Sequence, residues 1–154
     1  MKALKIIAIV LIGIVILGFA MTRMMGINAI SFGMHDTIFQ KEGIALGGYD
    51  PVSYFSTSGP HEGNPHFEIT WKESMWRFAS EENMKLFKES PEQYAPAFGG
   101  YCAFAVSKGF TAPSSPEFWE LHQGQLYLFS NQKVKQDFAK DFDKMKALAE
   151  KNWK

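Results

Sequence analysis

The chain has 154 residues, 46% of them hydrophobic and 15% aromatic, which is ample for one packed domain and excludes a disordered chain. Lys plus Arg and Asp plus Glu number 16 each, without the basic excess of a nucleic-acid binder, so nucleic acid is excluded as a partner. Cys102 is the single cysteine; no intramolecular disulfide can form, and the core alone must hold the fold.

In chain order, the first element is an uncharged stretch from Ile6 to Thr22, bracketed by Lys5 and Arg23. As a helix these residues extend about 25 Å. Snorkelling by Lys5 and Arg23 would make up the difference to a ~30 Å hydrocarbon core. Lys2 and Lys5 precede the stretch, which favours a cytoplasmic start and export of the residues after Arg23. The expectation is a signal anchor and transmembrane helix over residues 1–23. The membrane is then a partner, and the domain lies outside the cytoplasm, periplasmic or extracellular. Gly18-Phe19-Ala20 puts small residues at the −3 and −1 positions of a cut after Ala20. Secretion after signal-peptide cleavage is therefore the alternative.

Residues 24–42 read as a juxtamembrane linker. Met24, Met25, Met34 and His35 lie in it, with Met21 just before, and thioethers near an imidazole are the donors that suit Cu(I). Residues 43–154 read as the domain. A short strand at Gly43–Gly48 enters a turn, and Asp50-Pro51 starts a helix with Asp as its cap. Phe67, Ile69 and Trp71 alternate with polar residues, as do Trp76 and Phe78 after the Lys72-Glu73-Ser74 turn, the pattern of a hairpin with an aromatic face. Ser80-Glu81-Glu82 opens a helix, and Ser90-Pro91-Glu92 opens a shorter one. Tyr101 to Val106 is an apolar run that must be buried. Phe118–Leu121 and Gln125–Phe129 flank His122-Gln123-Gly124 as a second hairpin, with His122 expected at a solvent-exposed tip. Val134, Phe138, Phe142, Met145 and Ala149 recur at helical spacing as one apolar stripe, predicting a single C-terminal amphipathic helix packed over a sheet. The fold class is α+β, with small antiparallel hairpins packed with several short helices.

Three segments carry a resemblance. They are Gly48-Tyr49-Asp50-Pro51-Val52-Ser53-Tyr54-Phe55, then Trp76-Arg77-Phe78-Ala79-Ser80-Glu81-Glu82-Asn83, and Gly99-Gly100-Tyr101-Cys102-Ala103 with Gly124-Gln125-Leu126-Tyr127-Leu128 downstream. Together they resemble the longer, exported type of YHS domain protein over roughly residues 43–150. In short members of that family, which accompany copper-pumping ATPases and some hydroxylases, the region looks like a heavy-metal module. Its two cysteines fall at positions that are Ala79 and Asn83 here. Both soft ligands are absent, so the resemblance does not carry that metal site over.

The resemblance implies a binding or accessory module without catalysis of its own, its ligand unidentified, with a protein partner in a membrane complex as a further expectation. The candidate ligand-binding residues are Tyr49, Asp50, Tyr54, Tyr101 and Cys102. Two other classes stay open. One is a metal handler, with His61 and His66 or the methionines holding a metal ion as cofactor. The other is an enzyme or redox protein acting through Cys102. No phosphate loop, dinucleotide fingerprint, His-Glu-x-x-His, Cys-x-x-Cys or haem-attachment motif is present.

Overall fold

The computed structural model describes the backbone of residues 2–30, 33 and 35–153, and the side chains of these except 2–5 and 23. The first element, α1, runs over Lys2–Met24. Among the described residues no helix is long and apolar enough to cross a membrane, which overturns the expected transmembrane helix. The described uncharged side chains of α1 run from residue 6 to residue 22. At 1.5 Å per residue they extend roughly 25 Å, short of a ~30 Å hydrocarbon core. The snorkelling invoked to close that gap depends on Lys5 and Arg23, whose side chains lie outside the described residues. What α1 does present is apolar surface on every side, with Ile9, Val15 and Leu17 all exposed.

Beyond α1 the α+β class holds. A four-stranded sheet has the order β2-β3-β5-β4, from Gln40–Lys41, Ile44–Ala45, Ser74–Phe78 and Asn64–Trp71 respectively. Its heart is the β4–β5 hairpin, whose tip residues Lys72 and Glu73 both take positive φ, 48° and 60°. That left-handed pair twists as the flanking strands do. The second hairpin joins β7, Ser115–His122, to β8, Gln125–Phe129, in antiparallel register. A third, two-residue pair ties β1, Asn28–Ala29, to β6, Phe110–Thr111. The segment between α1 and β3 is thus knit into the domain, with Ile30 and Ile38 both buried.

Helix α2, Glu81–Glu89, starts where the sequence indicates, with the Ser80 side chain accepting from Asn83 N at 3.2 Å. Helix α3, Pro91–Tyr94, comes directly after it, and α4, Ala103–Ser107, buries the apolar run after Gly99-Gly100. The Asp50-Pro51 start makes only a 3-10 turn over Ser53–Phe55, and the expected Asp50 cap is corrected: Val52 holds the cap position without a side-chain bond, while Asp50 Oδ1 accepts Val52 N at 2.8 Å as an Asx turn ahead of it.

The single C-terminal helix is corrected. Two helices form, α5 over Gln132–Ala139 and α6 over Phe142–Asn152, broken at Lys140-Asp141. The break frees Phe142 to stack on the His122 ring at 3.9 Å and to meet Tyr127 edge-on at 5.2 Å. His122 is accordingly half-buried rather than a solvated hairpin tip. The stripe still faces inward, with Phe138, Met145 and Ala149 buried.

The core divides in two. One cluster, under the four-stranded sheet, gathers Leu46, Tyr54, Trp76, Phe78, Phe87 and Leu126. The other, under α4, α5 and α6, gathers Tyr101, Cys102, Val106, Tyr127, Phe129 and Phe138. The candidate residues fall on both sides of this division.

Candidate functional site

Gly47 and Gly48 take φ of 64° and 94°, a left-handed pair that turns the chain into Tyr49-Asp50. The loop beyond folds back on them. Gly63 N donates to Gly48 O, Asp50 N donates to His61 O, and Tyr49 bridges Glu62 as an isolated antiparallel pair. Gly63 is required there, because a Cβ at that position would collide with the Arg77 backbone.

Asp50 is then fully buried, and its carboxylate is the node of the first half of the domain. Oδ1 takes the Val52 amide; Oδ2 takes Ala79 N at 2.9 Å and the Asn83 side-chain amide at 2.6 Å. A buried carboxylate is tolerated when donors surround it, and these three provide that shell. Ala79 and Asn83, the positions where the resembled family carries cysteines, therefore meet one carboxylate. In this chain the meeting point is filled by hydrogen bonds.

Tyr54 lies beside the node, fully buried, its hydroxyl donating to Pro116 O at 3.3 Å and its ring edge-on to Trp119 at 5.6 Å. Burial raises the Tyr54 hydroxyl well above the ordinary tyrosine range, with the nearby Tyr49 and Asp50 adding to it. Tyr49 is half-buried, and its hydroxyl is raised by burial first and then by the Glu62 and Glu117 charges.

Tyr101 and Cys102 belong to the other cluster and do not join Tyr49, Asp50 and Tyr54 in one site. They come after Gly99-Gly100, whose smallness is enforced by contact. A Cβ on Gly99 would fall on Thr37 O, and one on Gly100 on the Leu46 side chain. Phe39 N donates to Gly99 O at 2.8 Å, so segment 35–40 lies directly across this turn. Cys102 is 2% exposed, its amide donating to Ala112 O and its carbonyl accepting from Val106 N. That is the setting of a small hydrophobe rather than a nucleophile.

Tyr101 has an open edge. Together with Asn28, His35, Asp36, Phe39 and Gln40 it lines a cavity of about 240 Å³. Its ring lies 5.5 Å from Phe39 at 55° and 6.1 Å from His35 at 82°. Gln40 Nε2 donates to Asp36 Oδ2 at 3.3 Å. The Tyr101 hydroxyl is pushed up to about 12, by burial first and by the Asp36 charge second, while a hydrogen bond from the Asp36 backbone opposes them. A second hollow of about 210 Å³ lies across segment 35–40, walled by Trp71, Lys72, Glu92, Phe98, Gln125 and Trp153.

Among the described residues the histidine pair gathers no further ligands. His61 and His66 are both exposed, and His61 Nε2 already meets Ser58 Oγ at 2.9 Å. Among the described residues no group of three or more His, Cys, Asp or Glu side chains converges as a metal site. Of the methionines near His35, Met24 and Met25 point into solvent, and Met34 lies outside the described residues.

Sequence reasoning missed Asp36, Phe39, Gln40 and Trp153, and took His35 only as a soft-metal donor. Phe39 and Trp153 carried a signal, as aromatics outside any periodic element, but nothing local tells which face of Tyr101 they approach. Comparison of the chain with protein-family models, curated proteins and solved structures found no match.

Proposed function

We propose that this chain is a YHS-like binding or accessory module that works outside the cytoplasm, in association with a membrane through α1, and has no catalysis of its own. The observation that carries the reading is the Asp50 node. Two of the three segments that resemble the family are joined there, by donors from Ala79 and Asn83 to one carboxylate. The third segment, Gly99 to Cys102, instead presents Tyr101 to an open cavity. Such a division, with a fixed internal scaffold and a concave surface on one edge, suits holding a small molecule. The exposed apolar circumference of α1 supports contact with lipid.

The test is native mass spectrometry with elemental analysis of the full chain purified from its own cells. A stoichiometric small molecule, lost in a Tyr101→Ala chain that stays folded, is the expected result. A stoichiometric metal lost in His61→Ala would replace this reading with the metal handler.

A further inference from the structure

We propose that the Tyr101 cavity binds a methylated ammonium group, the cationic head of a choline-like molecule. This deepens the binding-module reading and rests on it.

Three aromatic rings wall the cavity at steep mutual angles. The Phe39 ring is tilted at 55° to Tyr101 and the His35 ring meets Tyr101 edge-on at 82°, so neither is stacked flat on it. Non-parallel aromatic faces around a small void attract a cation through their ring quadrupoles, most strongly where water is excluded. The Asp36 carboxylate adds a full negative charge at the rim, and no lysine or arginine is among the described residues lining the cavity. The Tyr101 hydroxyl registers that field, since the Asp36 charge helps to hold its proton on.

Methylation is indicated by the three aromatic residues of the lining. A primary ammonium directs its three N–H donors to oxygen acceptors, and a ring face offers none. A quaternary ammonium has no N–H, and its methyl groups meet the ring faces directly. Size agrees: about 240 Å³ is below the ~300–1,000 Å³ of pockets for drug-sized ligands, so the occupant is a group of few heavy atoms.

The chemistry has two sources, a free small cation or a lipid headgroup, and one experiment separates them. The full chain, held in a maltoside detergent, is titrated with choline while tryptophan fluorescence is followed. Trp153 reports because its ring lies 4.9 Å from His35. The expected result is saturation with Kd below about 1 mM. The neutral isostere 3,3-dimethylbutanol and the primary amine ethanolamine should each bind at least about tenfold more weakly. Asp36→Asn should weaken choline about tenfold and Phe39→Leu about fivefold, while Tyr101→Phe, which keeps the ring, should stay within about twofold. Repeating the titration in nanodiscs of phosphatidylcholine and of phosphatidylglycerol identifies the source. A weaker apparent affinity in the first means that the headgroup already fills the cavity; equal affinities mean a free cation.

No saturable signal, equal binding of the neutral isostere, or unchanged affinity in Asp36→Asn would each overturn the proposal. An unchanged thermal midpoint shows that each variant is folded. A different small molecule retained in the native mass spectrum of the same preparation would sink the ammonium assignment and leave the binding module standing. Absence of any retained molecule together with no saturable choline signal would sink both.

Discussion

The two halves of the core are held by different physics. Beneath the four-stranded sheet, a buried carboxylate gathers donors from residues 52, 79 and 83, so one side chain sets how two segments meet. Beneath α4, α5 and α6 aromatic packing predominates, with Phe138 meeting Tyr127, Phe129 and Phe142 at ring separations of 6.4, 5.3 and 5.0 Å, and the Asn152 amide adds hydrogen bonds to Val106 O and Ser107 O. A polar node is unforgiving, because the donors it loses are at least partly shielded from water; an aromatic cluster loses contacts one at a time and can relax. The cavity at Tyr101 sits on the second half, where the surroundings can adjust to an occupant without orphaning a buried hydrogen bond.

The contrast can be broken at several points, with effects in decreasing order. Asp50→Ala removes three hydrogen bonds, one buried and two part-buried, at ~1–3 kcal/mol each and should cost about 4 kcal/mol in urea unfolding. A loss under about 1 kcal/mol would mean that the node is decoration and the halves are alike. Phe138→Ala in the other half should cost about 3 kcal/mol, with partial collapse around the void. Gly99→Ala places a methyl group on Thr37 O at a φ of +60° and should cost about 2 kcal/mol, while loosening segment 35–40 in hydrogen exchange.

Smaller effects sharpen the picture. Cys102→Ala should cost about 1 kcal/mol, and the native thiol should resist iodoacetamide until the chain is unfolded. Rapid native alkylation would make Cys102 a reactive group after all. The smallest effect belongs to Asp137 on α5, lowered from 3.8 to about 2 by hydrogen bonds from Lys133 and then Lys140. A depressed carboxylate contributes stability that is complete above 3.8 and disappears as pH falls through about 2. Because the group is exposed, water and salt screen most of it. Asp137→Asn should therefore flatten only the acid limb of the urea midpoint against pH.

Much of the scaffold was legible because it obeys local rules. The alternation at Phe67, Ile69 and Trp71 marks β4, and the Ser80 cap marks the start of α2. The break between α5 and α6 was not, since Val134 to Ala149 keeps helical spacing straight through it; contact of Phe142 with His122 and Tyr127 overrides the period. At Asp50 the sequence shows a helix cap, and the side chain instead closes an Asx turn on Val52 N. Its ties to Ala79 and Asn83 cross about thirty residues, and no window reads that far. The apolar length of α1 was also plain, but its sufficiency for crossing a membrane leaned on two flanking cations.

Only Met25, Gly26 and Ile27 separate the end of α1 from β1. Four extended steps reach at most roughly 14 Å. The Ile27 amide donates back to Thr22 O, so the leash is shorter still. Gly26 itself borders the Tyr101 cavity. Whatever surface holds α1, the mouth of the cavity is kept at a nearly fixed height above it and cannot swing away to search the bulk. Were that surface a lipid bilayer, the supply of any ligand to the cavity would be set by effective concentration near it rather than by affinity alone. Inserting a few Gly-Ser residues after Ile27 would leave the cavity intact and exchange this short-range sampling for a wider, more dilute one.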